Sequence, residues 1–381
     1  MMTIHIFRRC HTVSFYFIAI LFLLTMGSGC SSASDHANTP ASDSSHEHVQ
    51  AFSADQLEEN LEKALKKGED SFQMQCLSEE NLALTVETVL DAVKEDNYLV
   101  SCILSDISAS YEETGDITLI SFTLVPTETA TFSGPIYTVT DQEQLEQLLG
   151  REFSHGPGKT AILLEDCVLS GDALLSEINN QEINSALAPT EATDIAYAMY
   201  PSHENQQFLL IWLELPLNAE EWERYQAELS QKTEDAVRQI EQLSAQDDAA
   251  CYQEIYQYII DSAEYDSALS GATLLGAEHM SLDMHMNRSA YGALVSGRTV
   301  CTGYARAFKA VWEELGLPCW VLAGTHNGIQ HAWNAVQING ETYYVDCTLA
   351  DTNASDATFL FTEKEAEADG YVTSDYSVLP W

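Results

Sequence analysis

Asn339-Gly340 constrains this chain more than any other dipeptide in it. It separates two β-rich runs, His331 to Ile338 and Glu341 to Thr348. Asn-Gly between such runs is the strongest short-range hairpin signal. With a two-residue turn, Ile338 faces Glu341, Trp333 faces Asp346 and His331 faces Thr348. His331 and Asp346 then project from one face as diagonal neighbours, roughly 7 Å apart at the backbone. A carboxylate so placed can fix an imidazole's tautomer and steady its charged form.

A helix is expected upstream of the hairpin. From Cys301 onward, Ala305, Phe308, Trp312 and Leu315 recur at steps of four and three, and Gly316 with Pro318 supplies the stop. Cys301 therefore falls in the first helical turn. There the positive end of the macrodipole favours a thiolate, which is the attacking species. Gly297 and Gly303 are expected to leave the backbone around the sulfur uncrowded for a substrate carbonyl. Leu317 to Thr325, between helix and hairpin, is an apolar run of strand length. In order, Cys301, His331 and Asp346 supply a nucleophile, a base and an orienter. Taken singly, a cysteine at a helix start is more often a small buried hydrophobe, and a strand histidine a core residue. The order and shared face of all three carry the reading. A zinc site from Cys301, His326, His331 and Cys347 fails, because alternation turns Cys347 away from His331 and no Cys-x-x-Cys pair exists. Trp312, Trp320 and Trp333 could wall off water, although aromatic residues at such spacings are more often core.

Residues 287–351 resemble the transglutaminase-like superfamily of papain-type thiol enzymes, in particular its bacterial cell-surface members. The resemblance rests on Ala290-Tyr-Gly-Ala-Leu-Val-Ser-Gly297, Val300-Cys-Thr-Gly-Tyr-Ala-Arg-Ala-Phe308, Leu315-Gly-Leu-Pro318 and Gly324-Thr325. It continues through His331-Ala-Trp-Asn334 and Tyr343-Tyr-Val-Asp-Cys-Thr348. It covers about the last third of the chain, from near residue 246. It implies Cys301 as nucleophile, His331 as general base and acid, and Asp346 as orienter, with no cofactor or metal. The implied domain packs a cysteine-bearing helix on an antiparallel sheet. Leu349 stands where the family often has Trp, which bears on substrate preference.

The chain ends add a location. Arg8-Arg9, the apolar stretch Phe15 to Leu24 and the small residues before Cys30 form a secretory signal too short to span a bilayer. Gly-Ser-Gly before Cys30 resembles a bacterial lipobox, with Gly27 where Leu is usual, and implies cleavage at 29 and acylation of Cys30. Residues 30–50, rich in Ser, Asp and His, read as a flexible tether in which His36, His46 and His48 are solvated rather than metal-binding. The formal net charge of -43, from 16 basic and 59 acidic residues, repels nucleic acid and anionic lipid. Beyond Cys10, Cys30 and Cys301, six cysteines remain: 76, 102, 167, 251, 319 and 347. They permit three disulfides in fifteen pairings, and equally permit free thiols.

Residues 51–218 show an internal duplication. Gln56-Leu-Glu58 matches Gln144-Leu-Glu146 at an offset of 88, Cys76 matches Cys167 at 91, and Asp116–Pro126 matches Gln206–Pro216 at 90. The fold expected is α+β throughout. It comprises small repeats at 51–135 and 136–218, a connecting helix at 219–245 and a catalytic domain at 246–381. The repeats carry no Cys/His pair and read as spacers or binding modules. The function expected is an extracytoplasmic, lipid-anchored thiol acyltransferase or amide hydrolase acting on a protein or peptide, such as cell-wall peptide. The alternative is a surface binding protein whose transglutaminase-like fold is catalytically idle.

Overall fold

A computed structural model describes residues 3–7, 49–132, 134–187, 194–214, 217–244, 248–272, 282–353, 358–377 and 379. Cys10, Cys30 and the tether histidines lie outside the described residues. Thr3–Phe7, within the expected signal, is an edge strand antiparallel to Asp194–Met199. Cleavage before Cys30 would remove it and leave Asp194–Met199 as the sheet edge.

The first repeat opens with the helix Ala54–Lys67, whose Leu57, Leu61, Ala64 and Leu65 recur at helical spacing and are buried. Ser53 caps its start, and Gly68, at φ 71°, ends it. The strand Ser71–Leu77, the helices Leu82–Asp96 and Tyr98–Ile103, and the strands Leu104–Thr114 and Ile117–Pro126 follow. The last strand lies between the other two, antiparallel to both. The second repeat follows the same plan. The helix Gln142–His155 precedes the strand Gly158–Glu165, the helix Gly171–Asn184 and the strands Asp194–Met199 and Gln206–Glu214. Again the last strand is central and antiparallel to its neighbours. A short parallel strand, Ile136–Val139, is added beside Gly158–Glu165.

The second sheet is buried on both faces. Ala161, Leu163, Ala198, Phe208 and Leu210 join the core of the first repeat. Ile162, Leu164, Tyr197, Leu209 and Ile211 pack under the second repeat's own helices. That is why the strand Gly158–Glu165 carries four successive apolar residues, Ala161 to Leu164, all buried, rather than an alternating pattern.

The C-terminal body is built around the helix Cys301–Glu314. Tyr304, Ala307, Phe308, Val311 and Trp312 are essentially inaccessible to solvent and share a core with Trp222, Tyr225, Ile240, Ile255 and Ile259. Each large apolar side chain so buried contributes about 1.5–3 kcal/mol. The long helix Ala219–Ser244 therefore does more than connect, since its apolar stripe packs in the same core as the cysteine-bearing helix. On the helix's other side stands a four-stranded antiparallel sheet, ordered Glu341–Val345, Ile329–Ile338, Cys319–His326 and Tyr371–Thr373. Asn339 and Gly340 both have positive φ, 54° and 82°, as a tight primed turn demands. Ile338 faces Glu341, and the ladder runs to Asn334 opposite Val345. There it stops, because a new helix, Cys347–Asn353, begins. Thr348 is thus helical, and the expected pairing with His331 does not form.

Candidate active site

Cys301 is the first residue of its helix, and its N-cap, Val300, offers no side-chain acceptor to the first-turn N–H groups. The preceding residues are pinned by the short parallel pairing of Arg298–Thr299 with Glu264–Tyr265. The Asp266 N–H adds a bond to the Thr299 carbonyl at 2.7 Å. Gly303 does not open space for a substrate. A side chain there would collide with Thr299 and the Ser289 carbonyl, so its glycine serves close packing behind the cysteine. Cys301 itself packs, partly exposed, against Ile183, Ala305, Val321, Ala323 and Ala332.

His331 and Asp346 meet although the ladder between them has ended. His331 Nε2 lies 2.6 Å from Asp346 Oδ2, the imidazole side chain is 10% exposed and the carboxylate fully buried. Burial pulls the imidazole's proton affinity down. The Asp346 charge and hydrogen bond, aided by Cys301, overcome it and push the His331 pKa up to about 10. The Cys301 side chain is within hydrogen-bonding reach of His331. Asn334, three residues along the same strand, ties that strand to the cysteine helix by donating from Nδ2 to the Ala305 carbonyl at 2.8 Å.

Asp346 is held by more than the histidine. The Tyr371 hydroxyl donates to Oδ2 at 2.8 Å, and the Leu349 N–H donates to Oδ1 at 3.1 Å. The carboxylate thus also caps the helix Cys347–Asn353. Tyr371 escapes sequence reading, since it lies on a three-residue strand whose partner, His326, is distant in sequence. Its ring packs edge-on against Trp333, with centroids 5.1 Å apart. Trp333 in turn lies nearly parallel to His331 at 6.1 Å. Of the other tryptophans, Trp312 is core beside Phe308. Cys347 sits in the apolar core with Cys319, and the seven described cysteines are free thiols.

The second repeat reaches this site. Arg306, on the cysteine helix, is completely buried and donates to the carbonyls of Ile183 at 3.1 Å and Glu182 at 2.8 Å. Those carbonyls end the helix Gly171–Asn184, where a cation is favoured. The Asn184 side chain bonds both backbone groups of Val321, accepting from its N–H at 2.6 Å and donating to its carbonyl at 3.2 Å. An otherwise open strand edge is so covered.

Residues 235–347 match the model of the transglutaminase-like superfamily. This α+β chain therefore carries a transglutaminase-like domain over those residues. Among curated proteins, the chain is similar to kyphoscoliosis peptidase of Mus musculus and of Homo sapiens, 34% identical to each over 82 residues. The match covers 17% of this chain and 12% of each relative's length. Among solved structures, a crystal structure of a TGase overlaps 68% of this chain and 68% of its own, with 12% identity and a TM-score of 0.29.

Proposed function

We propose that this chain is an exported thiol enzyme that attacks amide or peptide carbonyls with Cys301 and passes the acyl group to an amine or to water. The observation that carries this reading is the buried His331–Asp346 pair, 2.6 Å apart, beside a cysteine at a helix start. Nε2 is engaged by Asp346, which leaves Nδ1 as the nitrogen available to the sulfur. The Cys301 thiolate adds to the carbonyl carbon, and the oxyanion that forms is met by backbone N–H groups, that of Cys301 among them. The C–N bond then breaks as His331 gives its proton to the departing amine, leaving a thioester on sulfur. Neutral His331 next takes a proton from an incoming amine or water. Attack on the thioester releases the product and restores the thiolate–imidazolium pair. Asp346 orients the ring throughout, and Tyr371 holds Asp346. The peptidase name of the matched relatives accords with this reading.

Export and anchoring rest on the Arg8-Arg9 segment, the apolar stretch to Leu24 and Cys30 after small residues. No helix among the described residues is long and apolar enough to cross a membrane. A lipid on Cys30 would be the attachment, with the run to residue 50 as tether.

The decisive experiment is trapping. The protein is incubated with a cell-wall peptide extract, and the acyl group on Cys301 is identified by mass spectrometry. An adduct on Cys301 that disappears in His331→Ala supports the enzyme. A clean Cys301 with every amide offered, and alkylation by iodoacetamide unchanged in His331→Ala, would leave only the idle binding protein. For the anchor, Cys30→Ala should release the protein into the medium, and persistent membrane association would refute the lipid.

A further inference from the structure

The thiol chemistry makes no use of a cavity of about 210 Å³ between the helix Gly171–Asn184 and the strand Cys319–His326. Glu146, Glu177, Gln142 and Asn180 line one side of it, and Trp320 and Tyr376 the other. Glu177 is 7% exposed, and amides meet its carboxylate. Gln181 Nε2 donates to it at 2.9 Å and Gln142 Nε2 at 3.2 Å. Gln142 Nε2 also reaches Glu146, at 3.1 Å, so one neutral amide bridges two carboxylates. None of the described lining residues is basic. Lys309, 5.6 Å from the Trp320 ring, is engaged by Glu313.

A desolvated carboxylate served by amides, with a second, half-buried carboxylate beside it, costs free energy that an entering cation offsets. Burial pushes the Glu177 carboxyl upward, Gln181 pulls it back and the Glu146 charge adds to the rise, as expected for a site short of positive charge. The rings of Trp320 and Tyr376 suit an aliphatic stem ending in a cation. The cavity also adjoins the nucleophile. Asn180 lines it, while Ile183, three residues on and about 4.5 Å further along the helix axis, belongs to the cluster against which Cys301 packs. Tyr376 borders both.

We propose that this cavity is a subsite for an alkylammonium group, such as a lysine-type side chain, carried by the substrate of Cys301. The assignment rests on the thiol-enzyme reading given above. Held between carboxylates, the amine stays protonated, so it anchors the substrate and is not the group exchanged on sulfur. Binding is measured by calorimetry near neutral pH on full-length Cys301→Ala protein, with 1,5-diaminopentane as probe and 1,5-pentanediol as neutral control. The diamine should bind and the diol should not. Loss of charge-assisted hydrogen bonds in Glu146→Gln/Glu177→Gln should weaken the diamine about tenfold or more. Glu79→Gln/Glu80→Gln, which removes two exposed charges from the first repeat, should change it less than about twofold.

Equal weakening by the two double variants would mean diffuse attraction to an acidic surface and would overturn the subsite. Equal binding of the diol would do the same. Should the double variant unfold on melting, Glu146→Gln alone, at a half-buried position, decides by weakening the diamine severalfold or leaving it unchanged. Because the nucleophile is absent from this assay, its outcome is independent of the trapping experiment. Diamine bound at the cavity with Cys301 inert would refute the enzyme alone, and acylated Cys301 without site-specific diamine binding would refute the subsite alone.

Discussion

The two N-terminal α+β segments each carry a helix between an early strand and their later ones, and the two helices are buried differently. Leu82–Asp96 in the first repeat buries Leu82, Val86, Leu90 and Val93, and its other side faces water. Gly171–Asn184 in the second buries Leu174 and Ile178 against its own sheet, and also Glu177, Asn180, Gln181 and Glu182. Part of the extra burial comes from the C-terminal body, which meets Glu182, Asn180 and Asn184 through Arg306, Trp320 and Val321, whereas Glu177 and Gln181 lie toward the helix Gln142–His155. A segment expected to be a spacer or a binding module thus lies, in the second case, against the candidate site. Polarity on a helix face marks solvent only when no other body covers it.

That contrast can be broken at its fastening points. Arg306→Ala should be the most damaging, because it leaves the Glu182 and Ile183 carbonyls without their buried cation. About 3 kcal/mol is expected from the cost of unpaired buried polar groups. Lys94→Ala in the first segment, which removes an exposed pair with Asp106, should cost far less, because such pairs are screened by water. Urea melting of both variants measures the difference, and equal losses would mean that the second repeat is not fastened as described. Asn184→Ala comes next, at about 2 kcal/mol, since Val321 loses partners for both its N–H and its carbonyl. Its loss should also lower turnover, through Ile183 beside Cys301.

The pH dependence separates the C-terminal body from the N-terminal segments in another way. His331 titrates near 10 when folded and near 6.5 when unfolded. The folded chain therefore keeps a proton that unfolding releases. The resulting stability is complete below about 6.5 and is lost as pH rises through about 10, at no more than about 1.4 kcal/mol per pH unit for one proton. The slope of stability against pH across that window should diminish in His331→Gln. In Asp346→Asn the imidazolium loses its counter-charge, so the high-pH limb of Cys301 alkylation should break at lower pH than in the parent. Asn retains the Oδ1 acceptor that caps Cys347–Asn353, which keeps this a test of charge rather than of folding. An unshifted break would mean that Asp346 only caps a helix.

The cysteine helix, its stop at Gly316 and the hairpin about Asn339-Gly340 were legible because each is set by residues within a few positions of one another. The histidine and aspartate were legible through that hairpin, even though the ladder stops one residue before Asp346. What escaped was long-range. Tyr371 reaches Asp346 from a strand too short to show alternation. Arg306 sits beside Ala305 at the flank of an apolar stripe, and nothing near it in sequence accounts for its burial. Only the docked helix, more than a hundred residues earlier, explains its burial. Gly303 was read for openness where the fold uses it for close approach.

The smallest expected effect tests how alike the repeats remain where nothing covers them. Their first helices, Ala54–Lys67 and Gln142–His155, have the same length, and each begins with a side-chain cap. Ser53 accepts from the Gln56 N–H at 3.5 Å. Asp141 accepts from the Gln144 N–H at 2.9 Å and from the Gln144 side chain at 2.8 Å, and it places a charge at the positive end of the helix. Replacement by Ala should therefore cost about 0.5 kcal/mol at Ser53 and about 1 kcal/mol at Asp141, the range measured for lost N-caps. Both losses should leave Cys301 alkylation untouched, because neither capping residue belongs to the cluster against which Cys301 packs. A larger loss at Ser53 than at Asp141 would show that the shorter, charged cap is not the stronger one. A change in alkylation with Asp141→Ala would show instead that the second repeat is coupled to the nucleophile along its whole length, not only through the helix that ends at Asn184.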